Sequence, residues 1–304
     1  MITRDKLDEI EEKLFRDVES KLEKDLIRLR KEEILITYSE EDKLVSVKEK
    51  YEQIKNKPAP EIWNSGFLNL DRETGGFGEG QLVIITGVTK SGKTSLARDF
   101  IHNMDSHKPI FFSLEQGIEE LIRKDIKYGN PIYDYYVPNQ IGGKKTDVDW
   151  LEERILEGIL KFGSKIVLID HLHFIIDISN EDRRFDLTIT NVVKKLKEIA
   201  NTYKILIFLV AHLKKTRLEE EPTINDLRDS SSIAQLADKV LLVWREAKKE
   251  DGRVKFTGNT YLRIGADRQT GSNEAIILKW EKGRYTEDPD AHFEVTVPRG
   301  TFNN

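Results

Sequence analysis

The sequence predicts an α/β fold, a mostly parallel β-sheet flanked by helices, with a charged helical extension at the N-terminus. Three observations predict it. From residue 62 onward, short apolar runs alternate with stretches of helical period, the signature of strands joined by crossover helices. The runs themselves, such as Lys165-Ile166-Val167-Leu168-Ile169, lack polar alternation, as parallel strands buried on both faces do. Residues 1–57, by contrast, carry thirty charged side chains and cannot build a core of their own.

Within that extension Leu7, Ile10, Leu14, Val18, Leu22, Leu26 and Leu29 recur every three or four residues. This spacing predicts one long helix with a narrow apolar stripe. The stripe packs either on its own chain or on a neighbouring subunit, and the spacing alone does not choose. A second helical stretch at 40–55 leads to Lys57-Pro58-Ala59-Pro60, whose prolines mark a linker. The expected division is therefore 1–57 and 58–304. Strands are expected at 81–86, 109–114, 165–170, 205–211, 238–244, 259–265 and 274–280, and helices at 93–104, 116–127, 147–161, 186–202 and 230–237. No long helix separates the last strands, so the sheet is expected to end antiparallel.

Composition removes several classes of function. The chain has no cysteine, which excludes disulfides, thiolate metal sites and a cysteine nucleophile. The net charge is 49 − 54 = −5, so no global basic field marks a nucleic-acid binder, although a local patch suffices for that. With no signal peptide and no apolar run near the ~18 residues a membrane helix needs, the expectation is an intracellular, cytoplasmic protein without a membrane partner, whether encoded by a cell or by a virus.

Residues 87–94 read Gly87-Val88-Thr89-Lys90-Ser91-Gly92-Lys93-Thr94, the phosphate loop Gly-x-x-x-x-Gly-Lys-Thr, with Ser95 next to it. An apolar strand precedes it and a helical period follows, which is the context the motif requires. Backbone N–H groups of such a loop cradle phosphate oxygens. Lys93 is expected to reach the outer phosphates and Thr94 to ligate Mg²⁺, making ATP or another nucleoside triphosphate the cofactor.

Three further strand ends supply candidates. Asp170 closes Ile166-Val167-Leu168-Ile169 and is expected to hold Mg²⁺. The next residue is His171, not the glutamate that in many ATPases orients the attacking water, so another carboxylate is needed. Glu115 ends Pro109-Ile110-Phe111-Phe112-Ser113-Leu114; were that strand to neighbour the phosphate-loop strand, Glu115 would face the γ-phosphate and polarise water. His212 ends the strand 205–211, expected next to the Asp170 strand, and is placed to sense the γ-phosphate. His171-x-His173 suggests a metal, but no third ligand follows at convincing spacing.

This layout resembles the RecA-like core of hexameric replicative helicases, the DnaB superfamily. The likeness is carried by Gly66-Phe67-Leu68-Asn69-Leu70-Asp71 through Gly75-Gly76-Phe77, by Phe112-Ser113-Leu114-Glu115, and by Asp226 through Asp238. Asp170-His171-Leu172 and Ala211-His212-Leu213-Lys214 look most like the phage primase-helicase and mitochondrial branch. The resemblance implies a homo-oligomeric, hexameric ring that moves on single-stranded DNA, from 5′ to 3′, and unwinds forks beside a primase and a polymerase. It implies catalytic roles for Lys93, Glu115, His212 and a trans-acting arginine finger, Arg268. Tyr285 stands where the family places a residue near the nucleotide base. The segment from Lys214 to Ser232 would line the DNA channel, with Lys214, Lys215, Arg217, Arg228, Ser230 and Ser231 as contacts; Glu219, Glu220 and Glu221 in that segment would repel DNA. The pattern departs at Ala266, where a basic residue is usual and for which Arg263 is a substitute, at Ser231, where glycine is usual, and in the expected lack of a collar domain ahead of the motor. A recombinase or regulatory ATPase of the RecA, RadA or KaiC kind and an ATP-gated DNA loader remain the competing readings.

Overall fold

The structure, a computed structural model, describes residues 4–37, 44–139, 147–175, 185–212, 221–226, 230–250 and 253–287. It divides into two units, 1–59 and 60–304. In the first, α1 (Arg4–Thr37) is a single long helix along which Val18, Leu22, Leu26 and Leu29 are exposed. A shorter helix, α2 (Val47–Ile54), opens on a capping box between Ser46 and Glu49, which satisfies two backbone N–H groups at once.

The second unit is a three-layer sandwich. Its described residues form an eight-stranded sheet with the order β10-β9-β8-β7-β3-β6-β5-β4. The strands are β3 (Leu82–Gly87), β4 (Ile110–Ser113), β5 (Ile166–Asp170), β6 (Leu206–His212), β7 (Lys239–Glu250), β8 (Arg253–Asp267), β9 (Ala275–Glu281) and β10 (Arg284–Glu287). A small ribbon of β1 (Ile62–Trp63) and β2 (Phe77–Gly78) accompanies them, with the helix α3 (Leu68–Thr74) between. The five strands from β7 to β4 in the sheet order run parallel, and β7 to β10 pair antiparallel.

Burial explains why the central strands read as unbroken apolar runs. Val83 and Ile85 of β3 face one core with Leu96, Ala97, Phe100 and Ile101 of α4 (Lys93–Asn103). Leu82 and Ile84 face the other. That second core is filled by Leu151 and Ile155 of α6 (Val148–Phe162) and by Val193, Leu196 and Ile199 of α7 (Phe185–Tyr203). The helices α5 (Ile118–Tyr128) and α8 (Ser230–Leu236) complete the layers.

Two expectations need correction. The β4 strand does not neighbour the phosphate-loop strand; β6 and β5 lie between them. The chain crosses from β3 to the far edge through α4 and fills the gap later, a placement that local sequence does not encode. The last strands are also longer than expected. The hairpin β7–β8 keeps pairing out to Glu250↔Arg253, through charged residues whose alternation hides a strand that pairs only with its own partner. The short β10 carries no run long enough to announce itself.

Candidate functional site

The phosphate loop joins the end of β3 to the start of α4. Gly92 adopts φ 95°, and a Cβ there would lie 1.9 Å from the Tyr285 hydroxyl. A Cβ on Gly87 would lie 2.0 Å from the Val243 carbonyl oxygen. Both glycines are therefore required by close approach and, at Gly92, by left-handed backbone. No side chain caps α4, so its first N–H groups are available to an anion. Thr89 and Lys90 are exposed at the tip, Val88 and Ser91 are buried, and Thr94 and Ser95 are half-buried. Lys93 folds back, donating from Nζ to the Gly87 and Val88 carbonyls at 3.0 Å each. Its burial lowers its pKa to about 8, against the pull of Asp170 and Glu115.

Register then gathers the other strand ends. His212 is level with Gly87 across β6 and β3, Asp170 with Val210 across β5 and β6, and Ser113 with Asp170 across β4 and β5. The backbone of Glu115 is pinned by its N–H donating to the Asp170 carbonyl at 3.2 Å. Thus Lys93, Thr94, Asp170, Glu115 and His212 come to one end of the sheet although β4 is its edge. The Asp170 side chain is fully buried, and among the described residues neither of its carboxylate oxygens has a geometric hydrogen-bond partner. Burial pushes its pKa up to about 6, the Thr94 hydroxyl beside it lowers it, and Glu115 raises it further. A buried carboxylate with unclaimed oxygens beside a threonine hydroxyl fits a hard divalent cation such as Mg²⁺.

His171 belongs to this cluster, a place that nothing along the chain beyond the His-x-His pattern assigns to it. Its Nδ1 lies 3.1 Å from Glu115 Oε2, and its ring meets that of His212 at 4.2 Å, edge to face. Burial lowers both imidazoles to about 4, with His173 and Lys93 adding to the effect on His171, and Lys93 and His171 to that on His212. Both are neutral near pH 7.

Arg268 lies at the other end of the sheet. The start of β7 is level with the start of β3, through Val83↔Lys239, and Lys239 is paired with Asp267 of β8. The exposed Arg268 is thus near the beginning of β3, not its end, roughly 17 Å from the loop of its own chain at the rise of a strand. Its turn is held by Lys239, which is fully buried and bonds Asp267 Oδ2 (2.9 Å), the Thr74 carbonyl (3.0 Å) and Gln269 Oε1 (3.1 Å). Ala266 pairs with Val240 in the same stretch. Arg263, the basic residue that could stand in for it, is engaged elsewhere: Nη1 meets Glu221 Oε1 at 2.5 Å.

Tyr285 is buried beneath the loop, with its N–H on Asp99 Oδ2 and its hydroxyl 3.4 Å from the Ser91 carbonyl. It supports the loop from below and has little ring face free. Lys214, Lys215, Arg217 and Arg228 lie outside the described residues. Ser230 and Ser231 open α8.

The sequence model of the DnaB-like helicase C-terminal domain matches residues 63–137 and 146–287. The chain is 29% identical over 226 residues to the replicative DNA helicase DnaB of Mycoplasma pneumoniae, covering 62% of this chain and 47% of that protein. It is 25% identical over 240 residues to the replicative DNA helicase DnaC of Bacillus subtilis, covering 67% and 52%. The chain thus spans about half the length of the curated relatives it matches. Among solved structures, a DnaB-like replicative helicase, described together with its interactions with primase, superposes with a TM-score of 0.65 at 22% identity, over 93% of this chain and 76% of that one. A KaiC-like protein of Pyrococcus horikoshii superposes with a TM-score of 0.56 at 20% identity, over 76% and 100%. At these identities the two structures speak for the RecA-like fold.

Proposed function

The chain belongs to the family of DnaB-like helicase C-terminal domains, and from that premise we propose that it is the ATP-driven motor of a replicative DNA helicase, hydrolysing ATP with Mg²⁺ at interfaces between identical subunits. One observation carries the reading: Lys93, Thr94, Asp170, Glu115 and His212 converge from four strand ends on one loop. In this reading Lys93 leaves the loop carbonyls for the outer phosphates, and the N–H groups of residues 88–95 hold the rest. Thr94 and Asp170 hold Mg²⁺, which when bound screens the phosphate charge. Glu115 accepts the proton of the attacking water. His212, neutral and level with Gly87, hydrogen-bonds the γ-phosphate and passes its loss to the segment that begins at Leu213.

Arg268 cannot reach its own loop, so it serves the loop of the next subunit in a hexameric ring. The apolar stripe of α1 packs against that neighbour, and residues 1–57 act as a linker to the motor at 58–304. The basic residues Lys214, Lys215, Arg217 and Arg228, with Ser230 and Ser231, grip the phosphates of single-stranded DNA, a contact that is salt-dependent and indifferent to sequence. The pairing of Glu221 with Arg263 supports this reading, because it removes one of the three acidic charges that would repel the strand. His212 and Asp170-His171-Leu172 favour the phage and mitochondrial branch, with 5′ to 3′ movement beside a primase and a polymerase.

Glu115→Gln should bind ATP as the wild type does and lose hydrolysis by about 10²–10⁴-fold; normal turnover would remove Glu115 from the mechanism. Unwinding of forks carrying only a 5′ or only a 3′ loading tail, with imaging of the oligomer, tests motor and polarity together. Filaments without unwinding would favour a recombinase instead.

A further inference from the structure

The three groups Glu115, His171 and His212 do more than surround a phosphate. Each offers a ligand atom, and these atoms all lie within 4.8 Å of one another. Tetrahedral zinc, with bonds of about 2.0–2.1 Å to nitrogen and oxygen, holds its ligands about 3.3 Å apart. The separation of 3.1 Å between Glu115 Oε2 and His171 Nδ1 is already close to that span. The remaining closure falls on Glu115, whose side chain is 41% exposed. Among the described residues His212 Nδ1 is buried with no geometric hydrogen-bond partner, so within them it has a lone pair or a proton uncommitted. His173 stands near, its ring 5.4 Å from that of His171 and 5.7 Å from that of His212. Three of the six histidines of a chain without cysteine therefore gather at one strand-end cluster.

We propose that Glu115, His171 and His212 form a binding site for a divalent transition metal of the zinc class, distinct from the Mg²⁺ position at Thr94 and Asp170. The donor set decides the class of ion. Two imidazoles and a carboxylate suit zinc, cobalt or nickel, whereas Mg²⁺ takes oxygen ligands and seldom nitrogen. The neighbouring Lys93 charge opposes a second cation and Asp170 favours it, so nucleotide, which draws Lys93 to its phosphates, would alter the site's affinity. Ion binding rests on this geometry alone. Its consequence rests on the reading of Glu115 as the base: a carboxylate bound to metal cannot accept a proton from water, so the ion inhibits turnover.

The test uses cobalt as the probe, titrated into the full chain without nucleotide or Mg²⁺. The expected result is one ion per chain, seen as the strong visible absorption of low-coordinate cobalt, displaced by zinc and not by excess Mg²⁺. Glu115→Gln, His171→Asn and His212→Gln should each lose the absorption, while His107→Ala, away from the cluster, keeps it. Circular dichroism checks folding of the histidine variants, and Glu115→Gln alters an exposed side chain, so its loss of cobalt cannot be ascribed to misfolding. Undiminished absorption in Glu115→Gln and His212→Gln, or no absorption in the wild type, would overturn the site. Hydrolysis measured in metal-chelated Mg²⁺ buffer reports separately on the motor reading, so the two failures are distinguishable.

Discussion

The two ends of the central sheet are built by opposite rules. Where the parallel strands end, polar groups are buried without satisfaction. Among the described residues, neither Asp170 carboxylate oxygen nor His212 Nδ1 has a geometric hydrogen-bond partner, and Lys93 bonds two loop carbonyls. Where the strands begin, Lys239 and Asp267 are buried, Lys197 and Asp238 are half-buried, and all four are paired. Lys239 makes three bonds, and Lys197 bonds both Asp238 Oδ2 (2.6 Å) and the Gly80 carbonyl (2.8 Å). Asp238 Oδ2 also receives the Leu82 N–H at 2.7 Å. The pKa values separate in the same way. Burial lifts Asp170 to about 6, but at Asp267 burial is outweighed by Lys239 and by the N–H groups of Gln269 and Thr270, leaving it below its ordinary value. An unsatisfied buried group is costly and persists where a ligand completes it. The saturated end gives rigidity to the turn that presents Arg268.

The largest test of this contrast joins the two ends across subunits. Arg268→Ala should lower turnover about 10³-fold or more, the range seen for arginines supplied in trans, while the oligomer still assembles. Mixed rings doped with wild-type subunits should recover activity at the interfaces that regain the arginine; pure Arg268→Ala rings turning over normally would end the trans reading.

Next comes the saturated end. Lys239→Met leaves Asp267 buried without its cation and should cost about 3–5 kcal/mol of stability, as removal of one partner from a buried pair does. Thermal or urea unfolding measures it. Adding Asp267→Asn should restore part of the loss, because a neutral amide tolerates burial better than an unpaired charge.

At the unsatisfied end the sign reverses. Asp170 titrates at about 6 in the folded chain against an ordinary 3.8, so its ionised form is disfavoured by folding. The cost is present above about pH 6, shrinks as pH falls toward 3.8 and vanishes below it. Asp170→Asn should therefore stabilise the chain by up to about 3 kcal/mol at about pH 8 and should give no gain below pH 3.8. The same variant should lose Mg²⁺-dependent hydrolysis. Equal stability of wild type and variant in the alkaline range would show that the carboxylate is not under strain.

The smallest effect is expected at the part-exposed pair. Glu221→Ala should change stability by less than about 1 kcal/mol, since the Glu221 and Arg263 side chains are 39% and 21% exposed. Its readout is single-stranded DNA affinity in a salt titration, which should rise as Arg263 is freed.

Much of this was legible along the chain. The phosphate loop declared itself because Gly87, Gly92, Lys93 and Thr94 must be close in sequence to wrap one phosphate. The parallel strands declared themselves because burial on both faces demands unbroken apolar runs. Asp170 and Glu115 were legible as polar residues closing such runs. Other features were not. The order of β4 depends on where a crossover lands, the pairing of Lys239 with Asp267 joins residues 28 apart, and β10 is too short to leave a pattern.

The sequence by itself determined the phosphate-loop pattern and the strands and helix around it, because loop geometry and strand burial act over a few neighbouring residues. The tertiary structure decided which strand ends meet. It set Glu115 at the sheet's edge yet in reach of His171, and it put Arg268 a strand's length from its own loop. It also brought the His212 ring to 4.2 Å from that of His171, a neighbour that spacing along the chain had failed to show. The physical reason is the same in each case: hydrogen-bond register between strands fixes neighbours across the sheet, and register is a relation between distant segments that no single segment carries.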